Sequence, residues 1–169
     1  MASVRANELG LNFEHWCFAC GRSNPIGLHL ELVFARNRAE AQFVAERAHQ
    51  GYDGIVHGGI VTALLDEVMG WAIFQQGIWA VTTRFTLTFR QPLHVGEAVV
   101  ATGVLTRDRG RALDLRGEVR RAADDELLAS ADGTYVRMPE AQRVAMIEKY
   151  GDPAPALERL AVAMEKGTE

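Results

Sequence analysis

The segment His57-Gly58-Gly59-Ile60-Val61-Thr62-Ala63-Leu64-Leu65-Asp66-Glu67 sets two carboxylates well inside an apolar helix that opens on two glycines. Past those glycines, Thr62 is the only other polar side chain. An ionised carboxylate among apolar groups is costly unless it is paired or its pKa moves, so the pair marks a place for chemistry. The first N–H groups of a helix have no partner inside it and lie at the positive end of its dipole. Glycine lets a ligand approach those donors, which suits the holding of a developing oxyanion.

Asp66 and Glu67 point about 100° apart on a helix, so one at most faces a given seam. Asp66 shares its face with Gly59, Thr62 and Gly70, whose small side chains leave room for a substrate. Glu67 lies near Ile60, Ala63 and Trp71 and is expected to pair with an arginine from the sheet or a second subunit. The spacing favours Asp66 as the reacting group.

These residues need elements to hold them. Apolar spacing predicts a helix from Gly58 to about Gln75, apolar nearly all round and therefore enclosed. Before it, Leu28–Ala35 and Ala39–Ala45 read as strands joined by an Arg36-Asn37 turn. His49–Gly54 reads as a loop. After the helix, Val81–Arg90 alternates most cleanly, with Val81, Thr83, Phe85, Leu87 and Phe89 on one face. Glu97–Arg107, Arg111–Arg121 and Glu126–Met138 follow as strands joined by hairpin turns. The chain divides into an arm and turn-rich lead-in at 1–27, with the arm loose or a short helix. A single domain at 28–138 and a helical extension at 139–169 complete it. The fold class is α+β: an antiparallel sheet of about five to six strands wrapped around one long central helix.

At 169 residues, with a net charge of −4, the chain suits neither nucleic-acid binding nor a membrane span. Nothing near residue 1 resembles a signal peptide, and a cytoplasmic location is expected. Between Arg84 and Arg121, eight arginines face four acids. Cross-strand ion pairs are the plain reading; a phosphorylated ligand held by forked guanidinium groups is the sharper one. Cys17 and Cys20 form one CxxC, half of a zinc site with no second pair to complete it. No metal or cofactor is expected, and the two cysteines read as small side chains in a tight turn closed by Gly21. Trp71, Phe74, Trp79 and the methionines are either core or the lining of a tunnel.

The HGG at a helix start, with Asp eight residues after the first Gly and strands on both sides, resembles the hotdog-fold acyl-CoA thioesterases. The closest resemblance is to the phenylacetate-pathway group and its mitochondrial and cytosolic relatives. Cys17-Phe18-Ala19-Cys20-Gly21 followed by Asn24-Pro25-Ile26-Gly27-Leu28 also resembles the lead-in of some members. The resemblance implies hydrolysis of an acyl- or aryl-CoA thioester. The Gly58 N–H would bond the thioester oxygen, and Asp66 would act as general base or nucleophile. It further implies that His57 lines the site and that Thr82 helps place the attacking water. Where some relatives carry Asn, this chain has Gly51 beside Gln50, leaving Gln50 as a possible substitute. Gly59 and Thr62 are expected to border the substrate. Arg90, and then Arg84, are the preferred contacts for the CoA phosphates, with Arg107, Arg109 and Arg111 as alternatives.

Eight residues at 1.5 Å each separate Gly58 from Asp66 by about 12 Å, too far for one carbonyl. The two must therefore meet across a homodimer seam, with two sites per dimer, or within a dimer of such dimers. Two other readings remain: an acyl-CoA-binding protein without turnover, and a hotdog dehydratase or hydratase.

Overall fold

The computed structural model describes residues 3–11 and 13–166. Residues 1–2 and 12 of the expected arm and 167–169 of the expected extension lie outside the described residues. Nine strands and three α-helices follow in chain order: β1 Val4–Arg5, β2 Leu32–Ala35, β3 Arg38–Val44, β4 Gln50–Tyr52, β5 Ile55–Val56, α1 Gly58–Phe74, β6 Ala80–Phe89, β7 Ala98–Asp108, β8 Ala112–Arg121, β9 Leu127–Arg137, α2 Glu140–Tyr150 and α3 Ala154–Lys166. Seven strands form one antiparallel sheet in the order β1-β2-β3-β7-β8-β9-β6; β4 and β5 form a small separate hairpin. This is a hotdog fold: one sheet curled around the central helix α1.

Small residues make the curl possible. Ala39, Ala41, Ala101, Ala129 and Ala131 are buried on the strands facing α1. At Gly103 the helix rests almost on the sheet backbone, for a Cβ there would lie 2.4 Å from the Val68 carbonyl oxygen. Leu64, Leu65, Val68, Met69 and Ala72 fill the space between them and are wholly buried. Burying such side chains contributes about 1.5–3 kcal/mol each, and this contact anchors the fold.

Several expectations need correction. The sheet has seven strands rather than five or six, because the arm joins it: Val4 pairs with Phe34. A 3-10 turn at Ala6–Leu9 follows, so the arm is tied down rather than loose. The strand expected from Leu28 begins only at Leu32. Leu28 and Leu30 donate instead to the carbonyls of Phe18 and Ala19 in the lead-in turn, at 2.8 and 2.9 Å. Their alternation still selected the buried side chains, which depend on facing rather than on pairing. The loop at 49–54 contains β4 and the turn into β5. Asn37, at the expected hairpin turn, has a left-handed φ of 59°.

Strand β6 departs from simple alternation. Its pairing with β9 runs Thr82 against Tyr135 and then Arg84 against Thr134, leaving Thr83 bulged out. A bulge changes which residues face inward. Thr82 before it and Phe85 and Leu87 after it therefore all face α1, while Val81 is exposed. β6 is also the end strand of the sheet. The sheet therefore leaves part of α1 uncovered, and Thr62, Asp66 and Gly70 form a half-buried row along it. No helix among the described residues is long and apolar enough to cross a membrane.

Candidate active site

His57 is the N-cap of α1. Its extended backbone lets the chain turn into the helix, and its Nδ1 accepts from the Gly59 N–H at 2.9 Å. That satisfies one of the orphan donors of the helix start. Gly58, the first helical residue, keeps a donor for which the helix has no acceptor. The Phe89 ring lies against it; a Cβ on Gly58 would be 3.0 Å from Phe89 Cζ. Thr62, expected to border the substrate, donates its hydroxyl back to the Gly58 carbonyl at 2.8 Å. Threonine commonly makes this bond within helices, and here it ties up the hydroxyl proton.

Two turns on, Asp66 is held from the sheet. Its Oδ1 accepts from the Tyr135 hydroxyl at 2.6 Å and from Thr82 Oγ1 at 2.7 Å. Among the described residues, Oδ2 has no hydrogen-bond partner, so one oxygen is fixed and the other can face a ligand. Tyr135 also reaches the Asp66 carbonyl at 3.1 Å. Burial, and then the Asp66 charge beside it, push the Tyr135 hydroxyl well above the ordinary tyrosine range. It stays a protonated donor. Sequence reasoning missed Tyr135, which is one inward strand residue among several. Only the pairing of β6 with β9 sets it opposite Thr82.

Glu67 points elsewhere. Instead of the expected arginine, its Oε1 accepts from the Trp71 indole at 2.8 Å and its Oε2 faces the Cys17 sulfur at 3.8 Å. Burial, with Cys17 next, pushes the Glu67 carboxyl up to about 7. One turn beyond Asp66, Gly70 opens onto a cavity of about 710 Å³. Glu67, Trp71, Phe74, Trp79 and Cys17 contribute to its walls. Trp71, Phe74 and Trp79 pack edge to face in succession, with ring centroids 4.8 and 5.0 Å apart. They line a cavity, whereas Met69 belongs to the core.

The remaining candidates are spread out. Gln50 accepts from the Gly54 N–H at 3.2 Å, which commits its carbonyl to the β4–β5 turn. At Gly51 a Cβ would press on His57, 3.2 Å from its Cα. Of the eight arginines, Arg109 pairs with Asp114, Arg116 and Arg120 with Glu118, and Arg121 with Glu97, Asp124 and Glu126. Arg84, Arg90, Arg107 and Arg111 are exposed and carry no ion pair among the described residues. Ion pairs, most of them within β8 or its flanking turns rather than between strands, thus account for half of the basic cluster, Arg109 included.

Residues 53–128 match the model of the thioesterase superfamily. The acyl-coenzyme A thioesterase THEM4 of Rattus norvegicus is 26% identical over 121 residues, which is 69% of this chain and 52% of that protein. The chain thus spans about half the length of the curated relatives it matches. A mutant of the phenylacetic acid degradation protein PaaI from Thermus thermophilus superposes with a TM-score of 0.61 at 28% identity, covering 66% of this chain and 95% of that one. A Streptococcus mutans protein bound to acetyl-CoA superposes equally well, TM-score 0.61, at 19% identity, covering 64% of this chain and 88% of that one. At that identity the likeness is one of fold.

Proposed function

We propose that this hotdog chain of the thioesterase superfamily hydrolyses an acyl- or aryl-CoA to the free acid and CoA, using a site shared by two copies. One observation carries the reading: strand β6 borders both halves of the chemistry. Thr82 near its start bonds Asp66, and Phe89 at its end covers Gly58. β6 is the end strand, so its outer edge is free to pair with a second β6. Antiparallel pairing about a two-fold axis between Phe85 and Thr86 sets residue 82 of one copy opposite residue 89 of the other. Asp66 then approaches the partner's Gly58, which resolves the separation of about 12 Å within one helix.

In that seam the Gly58 N–H polarises the thioester carbonyl and holds the oxyanion as it forms. The Asp66 carboxylate, fixed through Oδ1, uses Oδ2 to take a proton from water, which adds to the carbonyl carbon. Direct attack by Asp66 would form an anhydride that water then cleaves. Either way CoA leaves as a thiolate, a good leaving group. The acyl group extends past Gly70 into the aromatic cavity, and the unpaired Arg84, Arg90, Arg107 and Arg111 supply contacts for the CoA phosphates.

The test is thiol release over a panel of short, long and aromatic acyl-CoAs. Wild type turns over at least one of them, and Asp66→Asn loses about two orders of magnitude or more in kcat. Tight binding of every acyl-CoA without turnover would leave a binding protein instead.

A further inference from the structure

One cluster plays no part in that chemistry. The Cys17 and Cys20 sulfurs and a Glu67 carboxylate oxygen all lie within 4.8 Å of one another. The turn that gathers the sulfurs is tightly wound: the Gly21 N–H donates to the Cys17 carbonyl at 3.0 Å. A Cβ at Gly21 would lie 2.2 Å from the His15 carbonyl oxygen and 2.5 Å from the Cys17 nitrogen, so only glycine closes it. On the other side, Trp71 pins Glu67 Oε1 and leaves Oε2 facing the Cys17 sulfur.

We propose that Cys17, Cys20 and Glu67 form a zinc site, with the fourth coordination position open to the aromatic cavity. Two thiolates and one carboxylate suit zinc, which takes sulfur ligands at about 2.3 Å and oxygen at about 2.0–2.2 Å. A tetrahedron of that size sets its ligand atoms roughly 3.5–3.8 Å apart, so closure from the present arrangement needs about an ångström of side-chain movement. Binding releases the thiol protons to solvent and joins the lead-in to α1, two segments fifty residues apart in the chain (Cys17 to Glu67). A CxxC alone is half a site; the helix brings the third ligand. All three ligands line the cavity wall, so a water or a donor atom of a bound molecule completes the shell. The inference does not depend on the acyl-CoA reading.

The experiment uses the full chain prepared under reducing conditions. Metal analysis of protein from zinc-supplemented culture should find one zinc per chain. Titrating stripped protein with Co²⁺ should give sulfur-to-cobalt charge-transfer absorption and the intense ligand-field bands of tetrahedral cobalt. C17S and C20S should abolish the charge-transfer pattern, and E67Q should weaken cobalt binding at least about tenfold while the thiols remain. Substoichiometric zinc with no charge-transfer absorption in wild type overturns the site. So does cobalt affinity unchanged in E67Q, or a Cys17–Cys20 disulfide that persists under the reducing preparation.

Discussion

The Tyr135 hydroxyl donates to Asp66 Oδ1 at 2.6 Å, joining β9 to the central helix. The bond is partly buried and pairs a hydroxyl donor with a carboxyl oxygen. It aims the carboxylate rather than touching a substrate. Tyr135→Phe should keep the fold and lower kcat about tenfold with KM little changed, as expected when a positioning contact serves the transition state. Steady-state kinetics beside a thermal melt separate this from simple destabilisation; a proportionate rise in KM with kcat intact would refute it.

Thr82 supplies the second donor to the same oxygen. Under the proposed function the effect belongs to its hydroxyl rather than to its β-branch. Thr82→Ser should retain most activity, whereas Thr82→Val should lose roughly as much as one hydrogen bond to a charged group is worth, about 1.5–3 kcal/mol. Equal rates for the two variants would assign Thr82 to strand propensity alone.

Gly58→Pro isolates the N–H. Proline is well tolerated at the first helical position, and His57, with ψ at 135°, already has the extended backbone that a following proline requires. The ring needs Phe89 to give by a few tenths of an ångström, since a Cβ would lie 3.0 Å from Phe89 Cζ. The variant should fold and lose about two to three orders of magnitude in kcat, the usual loss for one oxyanion donor.

Mixed dimers test whether the site is shared. A dimer with Asp66→Asn on one copy and Gly58→Pro on the other has both defects in one seam site and neither in the second. Purified mixed dimers should recover about half of wild-type activity, and the unfractionated co-expressed pool about a quarter. No recovery, with mixed dimers confirmed by mass spectrometry, would place both groups within one chain.

Gly103→Ala probes the close approach of helix and sheet. The added Cβ would meet the Val68 carbonyl oxygen at 2.4 Å, a backbone atom that cannot move alone. Overpacking of this kind costs about 1–3 kcal/mol or more, and the melting temperature should fall by several degrees.

Much of this was readable in the chain. The helix start at His57-Gly58-Gly59, the position of Asp66 and the four strands after the helix follow from local periodicity and from backbone chemistry that acts over a few residues. Fixed helical angles also separate Asp66 from Glu67, and the structure gives the two carboxylates different partners. The row Thr62–Asp66–Gly70 was legible as a face, though Thr62 proved bonded within the helix. Gln50 and the arginines could not be ranked from spacing alone, since their partners come from distant turns and strands.

The sequence by itself determined which residue types stand at which helical and strand positions, and with them the fold class and the likeness of the motif. Only the tertiary structure decided that Tyr135 and Thr82 converge on one carboxylate oxygen, that Glu67 meets Cys17 and Cys20, and that β6 ends the sheet. The physical reason is register. A single bulge at Thr83 and the pairing of Thr82 with Tyr135 set the Asp66 contacts, the lead-in turn lying against α1 sets those of Glu67, and no local preference encodes either.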